Sequence, residues 1–220
     1  MHIEPGLVHG AKMAFAAATA AGSATYMLRA ALKDIVGSNP LSFVARAAMA
    51  TVGTFVCFEV LPHYVAGVSE VHFIMGTALF LLMGMAPAAV GLALGLLIQG
   101  LFFAPWDMPM YAVNVTTLLV PLFAMGAVAK RMTAGRAYVD LAYSDVLKLS
   151  ALYQGGVVAW VAFWVFFAQG FGAVDSVLTF GASYMVVLLV EPIFDLGALA
   201  AAKALKGRTN GLVTDRVYNA

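Results

Sequence analysis

Cysteine is nearly absent. A single thiol, Cys57, in 220 residues excludes an internal disulfide framework, and its place in a hydrophobic run reads as packing. Charge is scarce as well: Asp, Glu, Lys and Arg make up 10% of the chain, the formal net charge is +1, and no basic block occurs, which argues against a nucleic-acid partner. No Gly-x-x-x-x-Gly-Lys loop is present, so nucleoside triphosphate hydrolysis by that phosphate cradle is excluded, and no other catalytic signature emerges. The chain is not expected to be an enzyme. What fills the sequence instead is apolar: 63% of residues are hydrophobic and the mean hydropathy is +0.92, more than one soluble core of this length requires. The sequence reads as an integral membrane protein, a single domain over residues 1–220 embedded in a lipid bilayer.

A helix needs roughly 20 apolar residues to cross the hydrocarbon layer. Apolar segments lie near residues 8–32, 41–61, 73–83, 88–104, 110–129, 146–167 and 177–202, the third too short to span alone. Charge sets the parity, because Lys and Arg concentrate in cytoplasmic loops. Arg29, Lys33 and Arg46 flank the first connection, Lys130, Arg131, Arg136 and Lys148 the one before the sixth segment, and Lys203, Lys206, Arg208 and Arg216 follow the last. With seven crossings and the amino terminus outside, every basic residue except Lys12 falls at the cytoplasmic face. Remove the third crossing, and either the central basic loop or the tail lands on the wrong side. The expectation is therefore an all-α polytopic fold of about seven transmembrane helices, with a loop over 1–10 outside and a cytoplasmic tail over 204–220. The small-residue stretch 16–24 mimics a leader cleavage region, but a leader carries its positive charge ahead of the apolar run, whereas Arg29 and Lys33 follow it. Close helix contact explains the stretch better. The aromatic run 160–167 reads as lipid contact.

On this topology all four histidines, His2, His9, His63 and His72, fall at the outer side. Glu4, Glu59, Glu70, Asp107 and Asp175 share that face with one lysine, and such a field attracts cations. Taken singly, each histidine is also readable as a solvated or capping loop residue. His2 has a further option: the Met1 α-amine, the His2 amide nitrogen and His2 Nδ1 can close adjacent five- and six-membered chelate rings on one metal. A bulky second residue disfavours removal of the initiator methionine, so that amine is expected to be free. A nearly planar nitrogen set with a deprotonated amide suits Ni(II) or Cu(II), and by extension Co(II), better than Zn, Mg or Ca. Protons compete for the same nitrogens. Inside the membrane, Glu191 and Asp195 lie four apart on one helix face with Pro192 between them. They read either as a proton or cation relay, or as protonated or paired groups at a helix contact, against a partner subunit for instance.

The opening Met1-His2-Ile3-Glu4-Pro5-Gly6 resembles the Met-His-Ile-x-x-Gly start of the CbiM/NikM membrane proteins, the substrate-capture components of energy-coupling-factor transporters for cobalt and nickel. The loop from Pro62 to His72, followed by Gly76-Thr77, resembles that family's Pro-x-Val-x-Gly-Ser-x-x-His segment and its Gly-Thr continuation. Gln99 and Asn114 match the separation of its polar glutamine and asparagine. The likeness covers roughly residues 1–130. It implies that the terminal amine of Met1, the amide and imidazole of His2, and His72 hold the metal. Extra loop residues around Gly67 leave His63 as an alternative ligand, and Pro105-Trp106 stand where many members have His-Gly. Glu4, Glu70, Gln99 and Asn114 are candidates to orient the ligands, although each also reads as a helix contact, a cap or a solvated loop residue. Co(II) or Ni(II) is then the transported substrate, with no organic cofactor. The resemblance also implies a transmembrane coupling (T) protein and a pair of ABC ATPases as partners, often with a small accessory membrane subunit, in the inner membrane of a prokaryote. Two rival readings stand beside it: a partner-independent secondary transporter or channel built on Glu191 and Asp195, and a membrane metal-sensing or assembly protein that uses the same nitrogens without moving metal.

Overall fold

The computed structural model describes residues 2–206, 208 and 211–219. Seven α-helices account for most of them: α1 (Ala11–Gly37), α2 (Pro40–Phe55), α3 (Gly76–Met83), α4 (Met85–Phe102), α5 (Tyr111–Met132), α6 (Tyr143–Gln169) and α7 (Val174–Ala204). The segments 40–60, 85–102, 105–132, 143–169 and 171–204 are long and apolar enough to cross a membrane, which makes this a multi-pass membrane protein. By the same measure α1 is not among them. Its 27 residues suffice in length, but Ser, Thr and Gly together with Lys12, Arg29, Lys33 and Asp34 dilute its hydropathy.

Local chemistry places the boundaries. Asn39 caps α2, its side chain accepting the Leu41 amide at 2.9 Å, with Pro40 pre-set for the first turn. At the other end α2 widens into a π-helical turn over Val56–Val60, which carries Phe58 and Glu59. α2 packs tightly on α4 because Gly91 and Gly95 offer no side chain: a Cβ on Gly91 would lie 2.3 Å from the Ala50 Cβ, and one on Gly95 2.6 Å from the Thr54 Cβ. This is the small-residue seam by which apolar helices approach in lipid.

The fold is all-helical as expected, with one small β element beside the bundle. The loop after α2 folds into a hairpin, β1 (Tyr64–Ala66) antiparallel to β2 (Ser69–Val71), turning at Gly67. The amino-terminal segment lies along the free edge of β2. Ile3 bridges Ser69, the Glu70 amide donates to the His2 carbonyl at 2.9 Å, and the Glu4 amide donates to the Val68 carbonyl at 3.2 Å. The third apolar segment is helical only from Gly76, and residues 72–75 run on from β2 without regular structure.

One further expectation changes. The run 160–167 is not a lipid face throughout, since Trp164 is fully buried and its indole donates to the Thr116 hydroxyl at 3.3 Å. The segment after α7 folds back on the bundle: the Thr214 amide donates to the Leu82 carbonyl at 2.7 Å, the Ser42 hydroxyl to the Gly211 carbonyl at 2.7 Å, and Val217 is buried.

Candidate metal centre

The hairpin and the amino-terminal strand bring His2 and His72 together. Both are buried, at 2% and 1% exposure, and their ring centroids lie 5.1 Å apart. Ligand atoms of His2, Glu70 and His72 all fall within 4.8 Å of one another, a spacing that a single metal ion can bridge. His2 Nδ1 pairs with Asp107 Oδ2 at 2.8 Å, and His72 Nε2 with Glu70 Oε2 at 2.8 Å. That leaves His2 Nε2 and His72 Nδ1, both buried, without a hydrogen-bond partner among the described residues. Burial lowers the pKa of the His2 imidazole from the ordinary histidine value, so it stays neutral and keeps a lone pair for a cation. Phe58 closes the apolar side, its ring 6.1 Å from His2 and 5.3 Å from His72.

The other sequence candidates fall into distinct places. Met1 lies outside the described residues. His63 is exposed and stacks on His72 at 4.7 Å, with its Nδ1 directed to the Leu61 carbonyl. Asn114 holds the backbone: its side-chain oxygen accepts the Ile3 amide at 2.9 Å. Gln99 is buried and donates to Glu59 at 3.4 Å. Glu4 is exposed and lines, with His2, Glu70, Trp106 and Asp107, a cavity of about 310 Å³ that opens beside the centre. Glu191 and Asp195, fully buried, are not grouped with the two histidines around one ion position. Glu191 accepts the Ile74 amide and the Gln154 side chain, whereas neither oxygen of Asp195 has a partner at hydrogen-bonding geometry among the described residues. A larger cavity of about 470 Å³, lined by Asp34, Arg46, Tyr138 and Arg216, lies at the opposite end and holds none of these residues.

Asp107 is the site residue that the sequence did not single out. It sits in a short 3₁₀ segment, Pro105–Met110, ahead of α5, and the acidic outer face was the signal that could have flagged it. Its carboxylate sets the tautomer and orientation of the His2 ring and supplies negative charge beside an incoming cation. Asp107→Asn, which removes that charge, is expected to weaken Co(II) binding about tenfold with little change in thermal stability. Isothermal titration of the purified variant checks it, and wild-type affinity would remove Asp107 from the centre.

A helical bundle of this kind with a buried two-histidine centre defines a multi-pass membrane protein with a candidate metal site. The chain belongs to the CbiM family, whose model, the cobalt uptake substrate-specific transmembrane region, matches residues 2–208. Membership makes it a transport component for cobalt uptake. No curated protein and no solved structure matches it significantly.

Proposed function

We propose that this chain captures Co(II) or Ni(II) at the outer face of a prokaryotic inner membrane and releases it inward when driven by a transmembrane coupling protein and a pair of ABC ATPases. One observation carries the reading: the buried His2 and His72 rings lie 5.1 Å apart, with ligand atoms of both and of Glu70 within 4.8 Å of one another. The donor set is the Met1 amine, His2 and His72, with Glu70 beside them. In the structure the His2 Nδ1 pairs with Asp107. Chelation through the amine, the His2 amide and Nδ1 therefore calls for a half-turn of that ring about Cβ–Cγ, exchanging the Asp107 bond for the metal.

The orientation rests on the distribution of Lys and Arg, which favours an outer amino terminus and seven crossings. The third crossing is a composite. Drawn out, residues 67–74 reach about 23 Å, and the eight residues of α3 add about 12 Å. Together they match a hydrocarbon layer of about 30 Å. Most side chains of the extended part are buried, which supports the reading, since irregular backbone at membrane depth needs protein around it.

The test is a pair of substitutions. His72→Ala is expected to leave the purified protein without stoichiometric metal, whereas His63→Ala keeps most of it; elemental analysis after removal of excess ion reads both. Loss in the His63 variant alone would transfer the ligand role to His63.

A further inference from the structure

The loop that presents His72 is attached to α7 at three levels. At the hairpin turn Gly67 has φ +62°, and a Cβ there would lie 2.3 Å from the Ser176 carbonyl oxygen, so the turn rests directly on the first turns of α7. Below it, the Tyr64 hydroxyl donates to the Ser183 carbonyl at 3.1 Å. Deepest, the Ile74 amide donates to the Glu191 carboxylate. Positions 176, 183 and 191 are spaced by seven and eight residues, close to two helical turns each, and so share one face of α7. The lengths agree as well. Fifteen residues of helix from Ser176 to Glu191 rise about 22 Å, and seven drawn-out residues from Gly67 to Ile74 cover about 23 Å. The chain runs straight along α7, with His72 two residues ahead of the deepest attachment.

That attachment is built from polar side chains in an apolar interior. Glu191 is fully buried; it takes the Ile74 amide on one oxygen and the Gln154 side-chain amide on the other, and Gln154 in turn accepts the Tyr184 hydroxyl. A buried carboxylate is unfavourable beside an apolar residue of the same size, so packing alone does not account for it. Its loop contact is with backbone, which fixes where the chain lies. The next residue, Met75, has φ 56°, the one non-glycine positive φ among the described residues, and it opens α3. Such a conformation persists where its surroundings hold it.

We infer that Glu191 is a positioning residue for the metal centre: from within the membrane it holds the His72 loop at the depth where His72 meets His2. The inference rests on the capture reading above. It is tested by Glu191→Leu, which removes the acceptor, Glu191→Asp, which shortens it and keeps the charge, and Glu191→Gln, whose amide oxygen still accepts Ile74 while the Gln154 side chain turns over. Two quantities are read: Ni(II) and Co(II) affinity with the ligand-field spectrum of the bound ion, and amide hydrogen exchange over residues 69–75 in metal-free protein. The Leu and Asp variants should bind at least about tenfold more weakly, with a shifted band and faster exchange in the loop, and the Gln variant should recover most of both. The exchange measurement and the milder Asp variant decide the matter even where the Leu variant fails to fold. Wild-type exchange and affinity in the Asp variant overturn the inference, as does a Gln variant no better than Leu. Wild-type protein that binds neither ion would overturn the capture reading, and this inference with it.

Discussion

One residue added ahead of Met1 is expected to weaken Ni(II) and Co(II) binding by more than the roughly 10–100-fold that loss of an outer hydrogen-bond partner brings. In the proposed site the terminal amine is a ligand. Extension turns it into a peptide nitrogen with a delocalised lone pair and opens the chelate ring that it shares with the His2 amide. The change is chemically narrow. Residues 2–4 remain held by Ser69, Glu70, Val68 and Asn114, so His2 and His72 stay where they are. The comparison is bound metal by elemental analysis, and affinity by competition titration, in native and extended protein of matched thermal stability. Equal metal in the two forms would remove the amine from the site while leaving the histidine pair in play.

Capture should also fall steeply as pH falls, with a slope that names the groups responsible. Burial lowers the pKa of His2 from the ordinary histidine value, so near neutrality its imidazole is already deprotonated and costs the metal no proton. Competition then comes from the amine, with an ordinary pKa of about 7.7–8.0, and from the His2 amide, which gives up its proton only to the metal. Each displaced proton changes apparent affinity about tenfold per pH unit. Below the amine's pKa two are displaced, giving about 100-fold per unit between pH 6 and 7, and the slope relaxes to about tenfold per unit above it. A shallow curve centred on the ordinary histidine value near 6.5 would instead assign the titration to exposed imidazoles and contradict the amide chelate.

Much of the bundle was legible because hydropathy runs and turn residues are local signals: all seven apolar segments became helices whose ends differ from the sequence bounds by a few residues. The third starts late for a physical reason. Phe73, Ile74 and Met75 are apolar enough to read as helix, yet Glu191, 117 residues away from Ile74, takes the Ile74 amide. No window along the chain contains that contact. The histidines were visible from their shared placement at one end, but the partners that orient them were not. Asp107 looked like one more acidic residue on an acidic face, and its bond to His2 spans 105 positions. Trp164 was misread for the opposite reason: an aromatic run suits lipid, but the indole finds Thr116 one helix away and is buried there.

The bridge between Ile3 and Ser69 has a consequence for mutagenesis of the amino-terminal segment. Successive side chains on a paired strand point to opposite faces, so His2 is directed at the centre by the parity of its position, and Ile3, buried with its amide on Asn114, by the opposite parity. Inserting one residue between His2 and Ile3 leaves every original side chain in the chain yet forces a choice: keep Ile3 in its socket and turn the imidazole to the face away from the centre, or keep the imidazole and pull an isoleucine out of the core. Two inserted residues restore the parity but carry the imidazole about 7 Å along the strand, so the segment sets both the face and the depth at which His2 arrives.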